Sequence, residues 1–149
     1  MHKSTEVLTS LLTINNDRIK GYETALDETK DADLKSLFTQ FIQTSQTAKK
    51  ELETELVKLG EDPDDGTRLD GKIYRAWMDV KSAVTGNDRT AILSSCEYGE
   101  DVALNSYKDA LEQEHLDGMY RPMIESQKTM IKMEHDRVKS LRDSSKVAN

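Results

Sequence analysis

Two glutamates carry most of the chemistry this sequence could offer. Glu100 and Glu134 each stand where helical spacing of apolar residues calls for an inward side chain, and so do Asn15, Ser45, Ala48 and Gln127. Inward carboxylates can ligate a metal, pass a proton or anchor a hydrogen-bonded layer. Left alone in an apolar interior they cost several kcal/mol, so they must be bonded, protonated, hydrated or metal-bound. Their positions are not scattered. Asn15 lies 16 residues before Asp31, while Ser45 and Ala48 lie 14 and 17 after it; Glu100 and Glu134 lie 17 before and 17 after Asp117. In antiparallel helix pairs, equal distance from the turn means equal height. Asn15, Ser45, Glu100 and Glu134 are therefore expected to form one buried polar layer near mid-bundle. Two carboxylates at one height repel, so one should keep its proton near neutral pH unless a cation, or Asn15 with a tyrosine hydroxyl, intervenes. If the layer is structural, Glu100→Gln should leave stability unchanged or raise it. If it holds a metal, the ligands to expect are Glu100, Glu134 and Asn15.

Other sites are struck out by inspection. The sequence has no Gly-rich phosphate loop, C-x-x-C, H-E-x-x-H or G-x-S-x-G. The acidic run Glu61-Asp62-Pro63-Asp64-Asp65-Gly66 fails as a calcium loop, because Pro63 and Lys72 occupy ligand positions. His135 follows Glu134 and is expected at a half-exposed surface, with a cap on the polar layer as the alternative. Cys96 lies on an apolar stripe and is expected to be a small core residue. Tyr22 and Tyr107 could donate hydroxyls to the carboxylates. Met119, Met123, Met130 and Met133 are expected as core filler, or else as an adaptable contact face. No catalytic residue and no cofactor-binding residue is expected, with iron or another divalent metal as the alternative.

The elements that must position these residues are helices. Apolar residues recur at spacings of three and four over four stretches, about 5–30, 33–59, 89–116 and 121–143. Ser4 is a candidate cap for the first, Asp31 or Asp33 for the second, Gly60 a candidate stop, and Pro122 suits a first-turn position. Short connections make the first and second stretches, and the third and fourth, antiparallel neighbours. Residues 60–88 are too many for a turn and carry their own pattern, Leu69, Ile73, Trp77, Val80 and Val84. A helical crossover there gives an all-α, ferritin-like up-down-down-up four-helix bundle, with a fifth bundle helix in plain up-and-down order as the alternative.

The composition permits one such domain. The chain has 149 residues, of which 31 are Leu, Ile, Val or Phe, just above the roughly 20% below which chains tend to stay disordered. Its net charge of −7, with no clustered basic stripe, argues against binding nucleic-acid phosphates. No apolar run approaches the roughly 18 residues of a membrane span, the first residues do not resemble a signal peptide, and a single cysteine excludes an internal disulfide. A cytoplasmic protein with no membrane partner is expected. The crossover aromatics Tyr74 and Trp77, with the methionines, predict a homodimer.

Three stretches carry a resemblance: Leu12-Thr13-Ile14-Asn15-Asn16-Asp17 through Tyr22-Glu23, Cys96-Glu97-Tyr98-Gly99-Glu100-Asp101, and His135-Asp136-Arg137-Val138-Lys139-Ser140-Leu141-Arg142-Asp143. In these the chain resembles ferritin-like proteins, and more closely a bacterial family catalogued as domain of unknown function 2383. Active ferritin-like proteins hold two irons with one Glu on each of two helices and Glu-x-x-His on each of the others. By that resemblance Glu100 stands in place for the third helix. Asn15 stands where the first would supply Glu, the second offers Ser45 and Ala48, and the fourth offers Ile131 and Glu134. Glu112-x-x-His115 lies off the stripe, and Lys132-x-x-His135 begins with a cation. The resemblance thus implies a bundle with a degenerate metal site, of protein-interaction or stress-associated role, and the alternative is an atypical metal-binding or di-iron redox protein.

Overall fold

A computed structural model describes residues 2–63 and 89–148, together with Arg75. The expected crossover helix within 67–85, with Tyr74 and Trp77, lies outside the described residues. Those described form four α-helices, α1 (His2–Glu28), α2 (Ala32–Lys58), α3 (Arg89–Leu111) and α4 (Arg121–Ala148), plus a 3-10 turn at Gly118–Tyr120, and no strand. The protein is an all-α four-helix bundle.

Each helix exists because its stripe has somewhere to go. In α2 the buried residues are Leu34, Phe38, Phe41, Ser45, Ala48, Leu52 and Leu56, at spacings of three and four. Tyr22 of α1 packs against Phe38 and Phe41, with ring centroids 5.5 and 5.3 Å apart. Such pairs add to the area they bury. At the end of α2 the Gly60 N–H reaches the Val57 carbonyl and the Glu61 N–H reaches that of Leu56. This Schellman closure needs a left-handed residue, and Gly60 takes φ +82°.

Boundaries differ from the sequence expectation for physical reasons. Ser4 does not cap α1 but sits inside it, buried, where its Oγ accepts the Asp117 N–H at 3.0 Å and ties the start of α1 to the α3–α4 turn. The first turn comes two residues early, because Thr29 Oγ1 accepts the Asp31 N–H at 3.2 Å. Asp31 starts α2 with extended backbone but makes no side-chain cap; its carboxylate goes instead to Arg89, at 2.9 Å. Helix α3 stops at Leu111, not near 116, because Arg121 donates to the carbonyls of Leu111 and Gln113 at 2.7 and 3.2 Å. Leu116 and Tyr120 then fold inward to close the end of the core. Helix α4 continues past residue 143, since buried Ser145 extends the stripe of Glu134, Val138 and Leu141 without adding an apolar residue.

Helix α1 packs on α2 and α3, and α4 packs on α3, whereas α2 and α4 meet only sparsely. Cross-helix contacts between α1 and α3 pair 15 with 107 and 18 with 100, descending along one helix as they ascend along the other. The two therefore run antiparallel. The middle of α1, residues 11–18, is buried on every side.

Candidate functional site

At mid-bundle the side chain that organises the polar residues is Arg18, fully buried on α1. Its guanidinium reaches across to three helices. Nε–H donates to Glu100 Oε1 at 2.6 Å, and Nη2–H donates to Glu100 Oε2 and to Glu134 Oε1, each at 2.7 Å. Nη1–H donates to Ser45 Oγ. The Tyr22 ring lies beneath, 5.5 Å from the guanidinium carbon to its centroid, in cation–π contact. This fork-to-fork geometry with Glu100 is the one a planar guanidinium provides and an ammonium does not.

The electrostatics follow from burial. Desolvation alone would weaken the Arg18 charge, but the charge and hydrogen bond of Glu100, joined by smaller contributions from Tyr22 and Glu134, together outweigh it and hold the guanidinium protonated beyond its ordinary range. Burial pushes the Glu134 carboxyl up, and the neighbouring Glu100 charge adds to this. Arg18 and the Thr44 hydroxyl only partly oppose it. Burial likewise raises the Tyr22 hydroxyl and the Cys96 thiol, with Glu100 adding to both. Cys96 is a buried neutral thiol, with its nucleophilic form disfavoured.

The sequence-predicted residues are therefore brought together in part. Ser45, Glu100 and Glu134 converge, but on a cation that the apolar stripe did not include. Asn15 belongs to an adjoining network of amides and a tyrosine hydroxyl that ends on Glu51. Its Nδ2 donates to the Leu11 carbonyl at 2.9 Å and to Tyr107 Oη at 2.8 Å. Tyr107 Oη–H donates to Gln127 Oε1 at 2.6 Å, and Gln127 Nε2 donates to Glu51 Oε1 at 3.0 Å and the Ala48 carbonyl at 3.4 Å. Tyr107 thus serves Gln127, not a carboxylate. Arg18 could have been found by height: it lies 13 residues before Asp31, a closer match to Ser45 at 14 after than Asn15 gives.

With Arg18 in place, the Glu100→Gln expectation reverses. Both oxygens of Glu100 accept guanidinium N–H groups, so an amide there would oppose one donor and remove the charge that compensates a buried cation. The same pairing commits one acceptor site on each oxygen of Glu100 to the guanidinium.

Three other groups could hold a cation on the same helices, Asp101 and His135 one residue after Glu100 and Glu134, and Glu97 three residues before Glu100. Ligand atoms of Glu97, Asp101 and His135 lie within 4.8 Å of one another. His135 Nε2 is 2.8 Å from Asp101 Oδ1, and its Nδ1 is 3.1 Å from Asp136 Oδ1. Glu97 also pairs with Arg142 at 2.5 Å. His135 is mostly covered, and its bonds go to surface aspartates rather than to the central layer. On α4 and its leading turn, Met119, Met130 and Met133 are exposed. They are a surface feature, not core filler.

The bundle with a charged, hydrogen-bonded polar layer at its centre defines the class. The chain belongs to the family described as Domain of unknown function (DUF2383), whose sequence model matches residues 3–113. That span includes Arg18, Ser45 and Glu100 and stops short of Glu134. No curated protein matches the chain. Among the described residues, no helix is long and apolar enough to cross a membrane.

Proposed function

We propose that this chain is a ferritin-like, up-down-down-up bundle in which an arginine takes the position of a metal centre, and that it works by binding rather than by catalysis. The observation that carries this reading is the Arg18 guanidinium bonded to both Glu100 and Glu134. A buried guanidinium offsets one of the two carboxylate charges and occupies both oxygens of Glu100 and one of Glu134, which weakens the pull of the pair on a divalent ion. The antiparallel pairing of α1 with α3 supports the up-down-down-up order. Self-association through α4 belongs to the same reading, supported by Met119, Met130 and Met133 on its exposed side and by the adaptability of thioether side chains at contact surfaces. A cytoplasmic homodimer, or a complex with a protein partner in stress physiology, is the setting this implies.

Sedimentation equilibrium of the protein and of Met130→Lys/Met133→Lys tests the binding face. A dimer that the double substitution dissociates supports it, whereas a wild-type monomer at micromolar concentration removes it. A second reading, an atypical metal-binding protein, rests on Glu97, Asp101 and His135. Asp136 beside His135 Nδ1 is the orienting partner that metal-ligating histidines use. Zinc titration of wild type and His135→Ala decides this reading: stoichiometric binding lost in the variant supports it, and indifference to the variant ends it.

A further inference from the structure

We propose that the groove between α2 and α4 is a binding site for a small aliphatic ammonium compound. These two helices meet less closely than the other neighbouring pairs, and between them lies a cavity of about 330 Å3. Its inner wall includes Asn15, which is fully buried. Asn15 Nδ2 donates to the Leu11 carbonyl and to Tyr107 Oη, while Oδ1 receives no hydrogen bond among the described residues. The amide cannot profitably turn over, because that would set Oδ1 against the Leu11 carbonyl and leave Tyr107, which donates onward to Gln127, without its donor. A buried amide oxygen lacking a donor carries a desolvation penalty, and a ligand that brings an N–H relieves it.

The rest of the lining selects the kind of donor. Among the described residues of the wall Glu51 is the charged one, with one of its oxygens accepting from Gln127 and no Lys, Arg or His beside it. Other polar positions are neutral amides and hydroxyls. Ala48, Met130 and Ile131 supply an apolar strip. A deep acceptor, an anion and a short apolar wall fit a primary ammonium on a short alkyl chain. Its N–H groups meet Asn15 Oδ1 and the Glu51 carboxylate, and its methylenes lie on Met130 and Ile131. A carboxylate ligand would face the Glu51 charge instead.

The probe is n-butylammonium chloride, titrated into the full chain at constant ionic strength while nitrogen-15 NMR follows the side-chain amides of Asn15 and Gln127. The expected result is a saturable shift of both signals with a dissociation constant on the order of a millimolar. Glu51→Gln should weaken binding about tenfold. Thr47→Trp, at an exposed position of the lining, should abolish it while leaving the melting temperature unchanged. Butyrate should give no saturable shift, and n-butanol a weaker one. Shifts that do not saturate, that persist in Thr47→Trp, or that butanol or butyrate reproduces at equal strength would overturn the proposal.

Discussion

Arg18 and Arg89 each hold two carboxylates, as Arg142 does with Glu97 and Asp143, and the first two differ mainly in burial. Arg18, Glu100 and Glu134 lie inside the bundle, with side-chain exposures of 0%, 0% and 7%. Arg89 binds Asp31 and Asp33 at the bundle end with exposures of 32%, 43% and 61%. The distances are alike, 2.6 to 2.7 Å inside and 2.7 to 2.9 Å outside. Water supplies the difference. At the surface each charge is solvated whether or not the pair forms, so the pair adds little. Inside, every member depends on the others, and removing one leaves an uncompensated buried charge.

The largest effect should come from Arg18→Met. It leaves two carboxylates facing each other in a dry layer and should cost about 3–5 kcal/mol by urea unfolding. Glu100→Gln should cost somewhat less, about 3 kcal/mol, because Glu134 still faces the cation. The comparison sharpens if Arg18→Met, Glu100→Leu and Glu134→Leu are combined. Replacing the whole buried set by apolar residues should recover most of the loss. A triple variant no more stable than the single Arg18→Met would break the argument from mutual dependence.

A smaller, pH-dependent effect is expected for Glu134→Gln. The folded-state value of Glu134 is raised above the ordinary 4.5, so its stabilising contribution is complete below that value and is lost as pH rises through the folded one. The variant carries no such dependence. Its stability relative to wild type should therefore rise between pH 5 and pH 7.5 in parallel denaturant titrations, and a relative stability that falls with rising pH would contradict the sign. Smallest of all is Arg89→Ala, at about 1 kcal/mol or less, and vanishing at high salt. The Arg89 hydrogen bond holds Asp33 below its usual 3.8. This contribution exists above 3.8 and fades as pH falls through the lowered value, so the variant and wild type should converge in acid.

Much of the bundle could be read from the sequence, because period and height are geometric. Leu34 to Leu56 in α2 follow the expected spacing, and Ser45, Glu100 and Glu134 were marked by being polar where apolar residues belong. Arg18 was hidden by Ile19. Both fit three or four residues after Asn15 and before Tyr22, and hydrophobicity favours the isoleucine, which is only half-buried in the structure. The better guide was charge: two buried carboxylates at one height require a cation at that height. Met123 packs against the core as expected, but Met119, Met130 and Met133 misled, since composition does not say on which side of a helix a methionine points. The end of α3 depends on Arg121, which lies ten residues beyond Leu111 and leaves no trace in local periodicity.

We propose that a guanidinium, in place of a metal, holds the carboxylates of the core together. Metal content per chain, measured by mass spectrometry on wild type, Glu100→Gln and His135→Ala after expression with added iron and zinc, tests it most directly. The expected result is that any stoichiometric metal in wild type survives Glu100→Gln and disappears in His135→Ala. Iron at two equivalents per chain, lost on Glu100→Gln and retained in His135→Ala, would contradict it.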